Sequence, residues 1–138
     1  MRNLLLTLRY DGTSFHGWQI QPNAVTVQQE LCDALKKISG NNENIIGCSR
    51  TDAGVHAYNQ RAHFDMDVNI NCSKLKQGLN SLIPEDIYVK SVYEVDDNFH
   101  ARFDVKAKEY IYKINMGTYN PIEKDYIFQY NKKLDIPE

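Results

Sequence analysis

Four strand-like segments and two amphipathic helix patterns, in the order β-α-β-β-α-β and followed by extra strands, predict an α+β protein with a ferredoxin-like fold. In that fold the strands form one antiparallel sheet, and both helices cover the same face of it. A chain of 138 residues is long enough for one such domain with its own hydrophobic core. We therefore expect residues 1–138 to form a single α+β domain.

The strand predictions rest on apolar or alternating runs that are bounded by turn residues. They cover residues 3–10, 44–49, 60–66, 87–95 and 107–115, with a short strand near 126–130. Alternation in the third strand places Ala62, Phe64 and Met66 on one face, which we expect to be buried. His63 falls on the opposite, polar face and is expected to be exposed.

The first helix is predicted over residues 26–38. Thr26 and Gln29 fit a capping box at its start, and Gly40 provides a C-terminal stop. Its apolar residues fall on one face of a helix. They are Val27, Leu31, Leu35 and Ile38.

The second helix is predicted over residues 73–82. Ser73 is the expected N-cap, and Pro84 follows the expected end. Leu75, Leu79 and Leu82 give this helix its apolar face. The first helix is interpreted as structural, without a chemical role.

Composition argues against several classes of protein. No apolar run approaches the roughly 20 residues of a membrane-spanning helix, and the N-terminus lacks the apolar centre of a signal peptide. The cysteines, Cys32, Cys48 and Cys72, are odd in number and form no C-x-x-C pair. This pattern argues against a disulfide framework or a zinc site and favours the reducing cytoplasm. The net charge of −2 is unusual for an RNA-binding protein, where a basic surface is expected.

The stretch richest in chemical groups follows the second predicted strand, over residues 48–57. Arg50 and Asp52 are two residues apart, so an extended backbone would point their side chains the same way. A guanidinium beside a carboxylate lowers the pKa of the carboxyl group, which would keep Asp52 ionised. An oriented carboxylate suits a nucleophile or a base. A turn aspartate that accepts backbone hydrogen bonds, beside a surface arginine, is the structural alternative.

The loop at residues 11–24 contains two aromatic residues, Phe15 and Trp18. Exposed aromatic rings can stack on unpaired RNA bases, which would make this loop an RNA-binding surface. Alternatively, the same rings attach the loop to the hydrophobic core.

Residues 50–57, RTDAGVHA, resemble the signature loop of the TruA-type tRNA pseudouridine synthases. Two more segments resemble that family in the same order along the chain. Residues 10–19 contain YDG and GWQ, and residues 99–103 read FHARF. Residues 108–112 fall where the family has its next strand. The resemblance extends from about residue 3 to about residue 116.

The resemblance implies an isomerase that converts uridine to pseudouridine in the anticodon stem-loop of tRNAs, at nucleotides 38–40, without cofactor or metal. Asp52 would be the catalytic aspartate. Arg50 would hold its carboxylate or fill the space left when the target nucleotide leaves the stack. Tyr110 would pack against the flipped uracil and assist proton transfer, although Tyr112 competes for that role.

The resemblance also implies contacts with the tRNA. Arg102 would contact a phosphate or brace the active-site loop, and Trp18 and Gln19 would contact the tRNA or support the fold. His56 is expected to hydrogen-bond the loop and is assigned no catalytic role.

Chains of this family are about twice as long and contain two similar halves that face each other across a cleft. This chain ends at residues 134–138 in what resembles a helix start. We therefore expect an N-terminal catalytic half whose second half is absent. Because the second half supplies another arginine and part of the tRNA-binding surface, little activity is expected from this chain alone. The resemblance implies a homodimer for the full-length form.

Two other functions are compatible with parts of the sequence. The β-α-β-β-α-β order also occurs in RRM-like, non-catalytic RNA-binding modules, although their aromatic RNP pattern is missing from the central strands. A hydrolase or phosphotransferase that depends on Asp52 would need a second carboxylate or a metal cluster nearby. The nearest acidic residues along the chain are Glu43 and Asp65.

Overall fold

A computed structural model of the protein describes residues 2–96, 114–115, 121 and 128–129. The chain divides into two units, Met1–Val105 and Lys106–Glu138. The described elements of the first unit are β1 (Arg2–Tyr10), a 3-10 turn (Gly12–Ser14), α1 (Val27–Ser39), β2 (Ile46–Gly47), β3 (Ala57–Met66), α2 (Cys72–Leu82) and β4 (Ile87–Val95). In the second unit, β5 (Ile114–Asn115) and β6 (Phe128–Gln129) form a short parallel pair. The expectation of one domain over 1–138 stays a prediction.

The four strands of the first unit form one sheet in the order β2-β3-β1-β4, and every neighbouring pair is antiparallel. β1 lies in the centre, with Leu6 opposite Ala62 of β3 and opposite Val92 of β4. This order confirms the predicted α+β, ferredoxin-like arrangement. The last residue of β1, Tyr10, lies opposite Ala57 at the start of β3.

The hydrophobic core lies between one face of this sheet and both helices. Leu4, Leu6 and Leu8 alternate along β1 and are fully buried. They belong to one cluster with the predicted face of β3 and with the apolar stripes of α1 and α2. Both helices therefore cover the same face of the sheet, as predicted.

The first helix has the predicted caps. The Gln29 N–H donates to Thr26 Oγ1 at 3.3 Å, and Gly40 ends the helix with a φ of +78°. The Gln29 side chain donates to Asp33 Oδ1 rather than returning to the cap residue, so the capping box is half formed.

The second helix begins one residue earlier than predicted, and its N-cap is Asn71 rather than Ser73. The Asn71 side-chain oxygen accepts hydrogen bonds from the backbone N–H groups of Ser73 and Lys74. Asparagine is as good an N-cap as serine, so residue type alone does not choose between the two positions. Leu82, expected on the apolar face, is 42% exposed because the helix ends at that residue.

His63 is buried rather than exposed, with 8% of its surface accessible. Its Nδ1 lies 3.2 Å from Asn3 Oδ1 on the neighbouring strand. The two residues lie on the sheet face opposite the helices, so the alternation of polar residues identifies the face correctly but does not imply exposure. Among the described helices, none is both long enough and apolar enough to cross a membrane.

Candidate active site

The loop that contains Asp52 connects β2 to β3 and ends in a tight turn. The Val55 N–H donates to the Asp52 carbonyl at 3.1 Å, and Gly54 has a φ of +80°. A positive φ at the third residue, in glycine, is typical of a type II β-turn. Asp52 is therefore the first residue of a defined turn.

A second loop, between β1 and α1, holds this turn through its backbone. The Trp18 N–H donates to the Thr51 carbonyl, and the Gly54 N–H donates to the Phe15 carbonyl, both at 3.1 Å. These bonds lie on either side of Asp52 along the chain. The backbone that carries Asp52 is therefore fixed from both directions.

Two glycines allow the loops to approach this closely. A Cβ atom on Gly12 would lie 1.9 Å from the Val55 carbonyl oxygen, and one on Gly17 would lie 2.4 Å from the Thr51 carbonyl oxygen. Gly17 also has a φ of +81°, a conformation that other residues resist. Neither glycine was predicted from the sequence to contact the signature loop.

Side chains add two further links between the loops. The hydroxyl groups of Tyr10 and Thr51 are 2.8 Å apart, and the Gly12 N–H donates to His56 Nδ1 at 2.9 Å. The same His56 nitrogen lies 3.2 Å from Asp11 Oδ1. Because the direction of a backbone N–H is fixed by the peptide plane, we assign Nδ1 as the acceptor. His56 thus bonds the neighbouring loop.

The start of the loop is attached to β3 by Gln60, which is buried. The Gln60 amide donates to the Ser49 carbonyl at 2.7 Å, and its oxygen accepts from the Cys48 thiol at 3.1 Å. Cys48 also donates its backbone N–H to the Arg61 carbonyl at 2.8 Å. The loop is therefore held at its entry as well as at its turn.

Tyr10 is 4% exposed, and the pKa of its phenol differs from the ordinary value. Burial raises the pKa of this phenol, and the nearby Cys48 adds to the increase, whereas the hydrogen bond to Thr51 opposes it. The Tyr10 hydroxyl is therefore protonated at neutral pH. Neither Tyr10 nor Thr51 was predicted to be a site residue, although each lies inside one of the three quoted motif segments.

The side chains of Arg50 and Asp52 are exposed, in contrast to the loop backbone. The predicted ion pair between them is not formed. Within residues 2–96, Asp52 has no cation paired with it and no donor on its carboxylate. A fixed backbone thus presents a carboxylate that no described residue engages.

Arg50 borders a surface depression of about 250 Å³ that also contains Gln19 and Trp18. Gln19 is half-buried, but Trp18 is 1% exposed, and its indole lies directly against Gly47. Phe15 is likewise buried. These rings attach the loop to the core, so the structure favours that alternative over base stacking by Trp18.

Two of the predicted site residues, Arg102 and Tyr110, lie outside the described residues, as does the segment at 99–103. The structure therefore brings together Trp18, Gln19 and Arg50, with Asp52 on the same loop as Arg50. It leaves the predicted roles of Arg102 and Tyr110 as predictions.

Comparison with known proteins identifies close relatives. The sequence profile of a family described as tRNA pseudouridine synthase matches residues 7–104. A tRNA pseudouridine synthase A from Thermoanaerobacter sp. (strain X514) is 46% identical over 139 residues, covering 100% of this chain and 57% of the relative.

Two further relatives carry the same name. The protein from Ruminiclostridium cellulolyticum is 51% identical over 114 residues, covering 83% of this chain and 46% of the relative. The protein from Mycoplasma genitalium is 44% identical over 136 residues, covering 99% and 56%. The chain thus spans about half the length of the curated relatives it matches.

Proposed function

Since the chain belongs to the tRNA pseudouridine synthase family, we propose that it is the N-terminal half of an isomerase that converts uridine in tRNA to pseudouridine, with Asp52 as the catalytic carboxylate. The proposed target is the anticodon stem-loop, at nucleotides 38–40. The full-length form is proposed to be a cytoplasmic homodimer.

One observation carries the catalytic role of Asp52. Hydrogen bonds on both sides hold its backbone, while its exposed carboxylate is left unengaged by the described residues. A structural aspartate in a turn normally uses its carboxylate to accept local hydrogen bonds. Asp11 does this with Thr13, at 3.0 Å to the backbone N–H and 2.6 Å to the hydroxyl. Asp52 lacks such bonds to the described residues, so its carboxylate is available for a substrate.

The reaction suits a site of this kind. The bond between ribose C1′ and uracil N1 breaks, the ring turns, and a new bond forms between C1′ and C5. The C5 proton is lost and N1 gains a proton, so atoms and electrons balance without an oxidant or reductant. Asp52 would attack C6 of uracil, attack C1′, or remove a proton from the sugar.

The other site residues have supporting roles in this proposal. Arg50 and Gln19 border the depression beside the loop. There Arg50 would fill the space that a flipped nucleotide leaves, and Gln19 would contact the tRNA. Tyr110 would pack against the uracil, and Arg102 would contact a phosphate. Removing a nucleotide from its stack costs a few kcal/mol, which such contacts would offset.

Tritium release tests the proposal. A tRNA labelled at uracil C5 is incubated with the protein extended to the length of its relatives. Release is expected from unmodified tRNA and is expected to stop when nucleotides 38–40 are changed to cytidine. Asp52→Ala is expected to abolish release while tRNA binding persists.

The main competing function is a non-catalytic RRM-like RNA-binding module, which the four-stranded antiparallel sheet favours. A protein of this kind would bind tRNA equally well before and after the Asp52→Ala substitution, and neither form would release tritium. If the extended parent binds tRNA tightly but releases no tritium, the proposed isomerase activity is wrong and the binding module is favoured.

A further inference from the structure

We propose that Tyr10 and Thr51 form a positioning pair, whose hydrogen bond sets the backbone from which Asp52 projects. The inference rests on the proposed function, in which Asp52 is the reacting carboxylate. Neither hydroxyl is proposed to contact the substrate. The pair would act through the placement of its neighbour.

The contacts of Thr51 support this role. Its side-chain hydroxyl is 2.8 Å from the Tyr10 hydroxyl, and its carbonyl accepts the Trp18 N–H at 3.1 Å. Its carbonyl also lies where a Cβ on Gly17 would clash. Thr51 is thus held through both side chain and backbone, and Asp52 follows it directly.

Tyr10 provides a rigid partner. It is the last residue of the central strand β1, paired with Ala57 of β3 and with Ile87 of β4. Its ring is 4% exposed and belongs to the hydrophobic core. The hydrogen bond therefore joins the Asp52 loop to the end of an inner strand of the sheet rather than to another loop.

The expected consequence is a change in rate rather than in substrate affinity. Displacing a reacting group by about 1 Å can lower a rate on the order of 100-fold. We expect loss of the Tyr10–Thr51 bond to lower kcat at least about tenfold. KM is expected to stay within about twofold, because neither hydroxyl contacts the tRNA.

Two substitutions at position 51 separate positioning from packing. Thr51→Val keeps the shape and removes the hydroxyl, whereas Thr51→Ser keeps the hydroxyl and removes a methyl group. A positioning role predicts that Thr51→Ser retains kcat and that Thr51→Val loses it. A packing role predicts the reverse order.

Tyr10→Phe provides the second half of a double-mutant cycle. If the bond is the cause, Tyr10→Phe combined with Thr51→Val loses no more kcat than the more affected single variant. Equal and additive losses would contradict a shared interaction.

Amide hydrogen exchange on the 138-residue chain tests the same bond without requiring activity. Thr51→Val is expected to speed exchange at the Val55 and Gly54 amides about five- to tenfold, while the β3 amides and the Thr51→Ser variant match the parent. Unchanged exchange in Thr51→Val would overturn the inference. An inactive extended parent with the expected exchange pattern would instead count against the proposed function.

Discussion

Thr51 and Asp52 are adjacent residues with opposite surroundings. Thr51 contacts Tyr10, Trp18 and the Gly17 backbone, whereas the Asp52 side chain is exposed. Fixing a backbone costs on the order of 1–2 kcal/mol per residue, so ordering Asp52 depends on its neighbours' contacts. The arrangement therefore places an exposed carboxylate on an already ordered turn.

The raised pKa of Tyr10 predicts a change in stability at alkaline pH. Burial raises this pKa above the ordinary value of 10.0, so the unfolded chain loses the phenol proton at lower pH than the folded chain does. The contribution of Tyr10 to the free energy of unfolding is fully present below about pH 10 and is lost as the pH rises through the folded-state pKa. Tyr10→Phe lacks this group, so its stability is expected to fall less steeply as the pH rises above 10.0.

Urea unfolding at several pH values measures this difference. Burial also raises the pKa of the Cys32 thiol above 9.0, in the same direction, so both proteins are compared in a Cys32→Ala background. Parallel stability curves for the two proteins would contradict the assignment to Tyr10.

The loop after β1 and the loop between β2 and β3 are joined through their backbones. The loop after β1 approaches the turn at Asp52–Val55 so closely that neither Gly12 nor Gly17 has room for a Cβ atom. Both loops begin or end at the strands β1 and β3, which pair along their length. The sheet thus brings the ends of the loops together, and the glycines allow them to pack.

Gly17→Ala and Gly54→Ala form a matched pair that tests this packing. Their φ values are +81° and +80°, so both substitutions add the same conformational strain of about 1–2 kcal/mol. Only Gly17→Ala also meets a carbonyl oxygen, at 2.4 Å, because no atom of the described residues lies within 4 Å of a Cβ on Gly54. Gly17→Ala is expected to be less stable by a further 1–3 kcal/mol or so, measured by urea unfolding. Equal losses would show that the loops separate without cost.

The N-cap of α2 predicts how two substitutions change the free energy of unfolding. Asn71→Ala removes an oxygen that accepts two backbone N–H groups, and is expected to cost about 1 kcal/mol in the free energy of unfolding. Ser73→Ala, in the exposed first turn, is expected to change stability by less than about 0.5 kcal/mol. A larger loss for Ser73→Ala than for Asn71→Ala would identify Ser73, the N-cap predicted from the sequence, as the actual N-cap.

For the whole molecule, periodicity predicted the strands, helices and shared helix face, because burial of one face imposes a repeat on the sequence. It did not predict the burial of His63, and the sequence left the burial of Trp18 as one of two alternatives, because both depend on contacts between distant segments. The two-residue spacing of Arg50 and Asp52 also predicted an ion pair that the turn does not form. The contact between Tyr10 and Thr51 spans 41 residues, and no local pattern encodes such a contact.

The length of the relatives predicts low activity for the 138-residue chain by itself. The chain covers 57% of the Thermoanaerobacter protein, and the proposed cleft needs both halves. Under equal conditions, tritium release by this chain is expected to be at least about 100-fold slower than by the extended chain. Comparable rates for the two would show that the N-terminal half is sufficient.

The catalytic role of Asp52 is tested most sharply by replacing its carboxylate with an amide of the same shape. Asp52→Asn in the extended chain is expected to lower single-turnover tritium release about a thousandfold or more. Because Asp52 is exposed and unpaired among the described residues, stability should change by less than about 0.5 kcal/mol. Asp65→Asn, at an exposed position on β3, makes the same change in charge and is expected to retain the parent rate. An Asp52→Asn protein that matches the parent rate would contradict the catalytic role of Asp52.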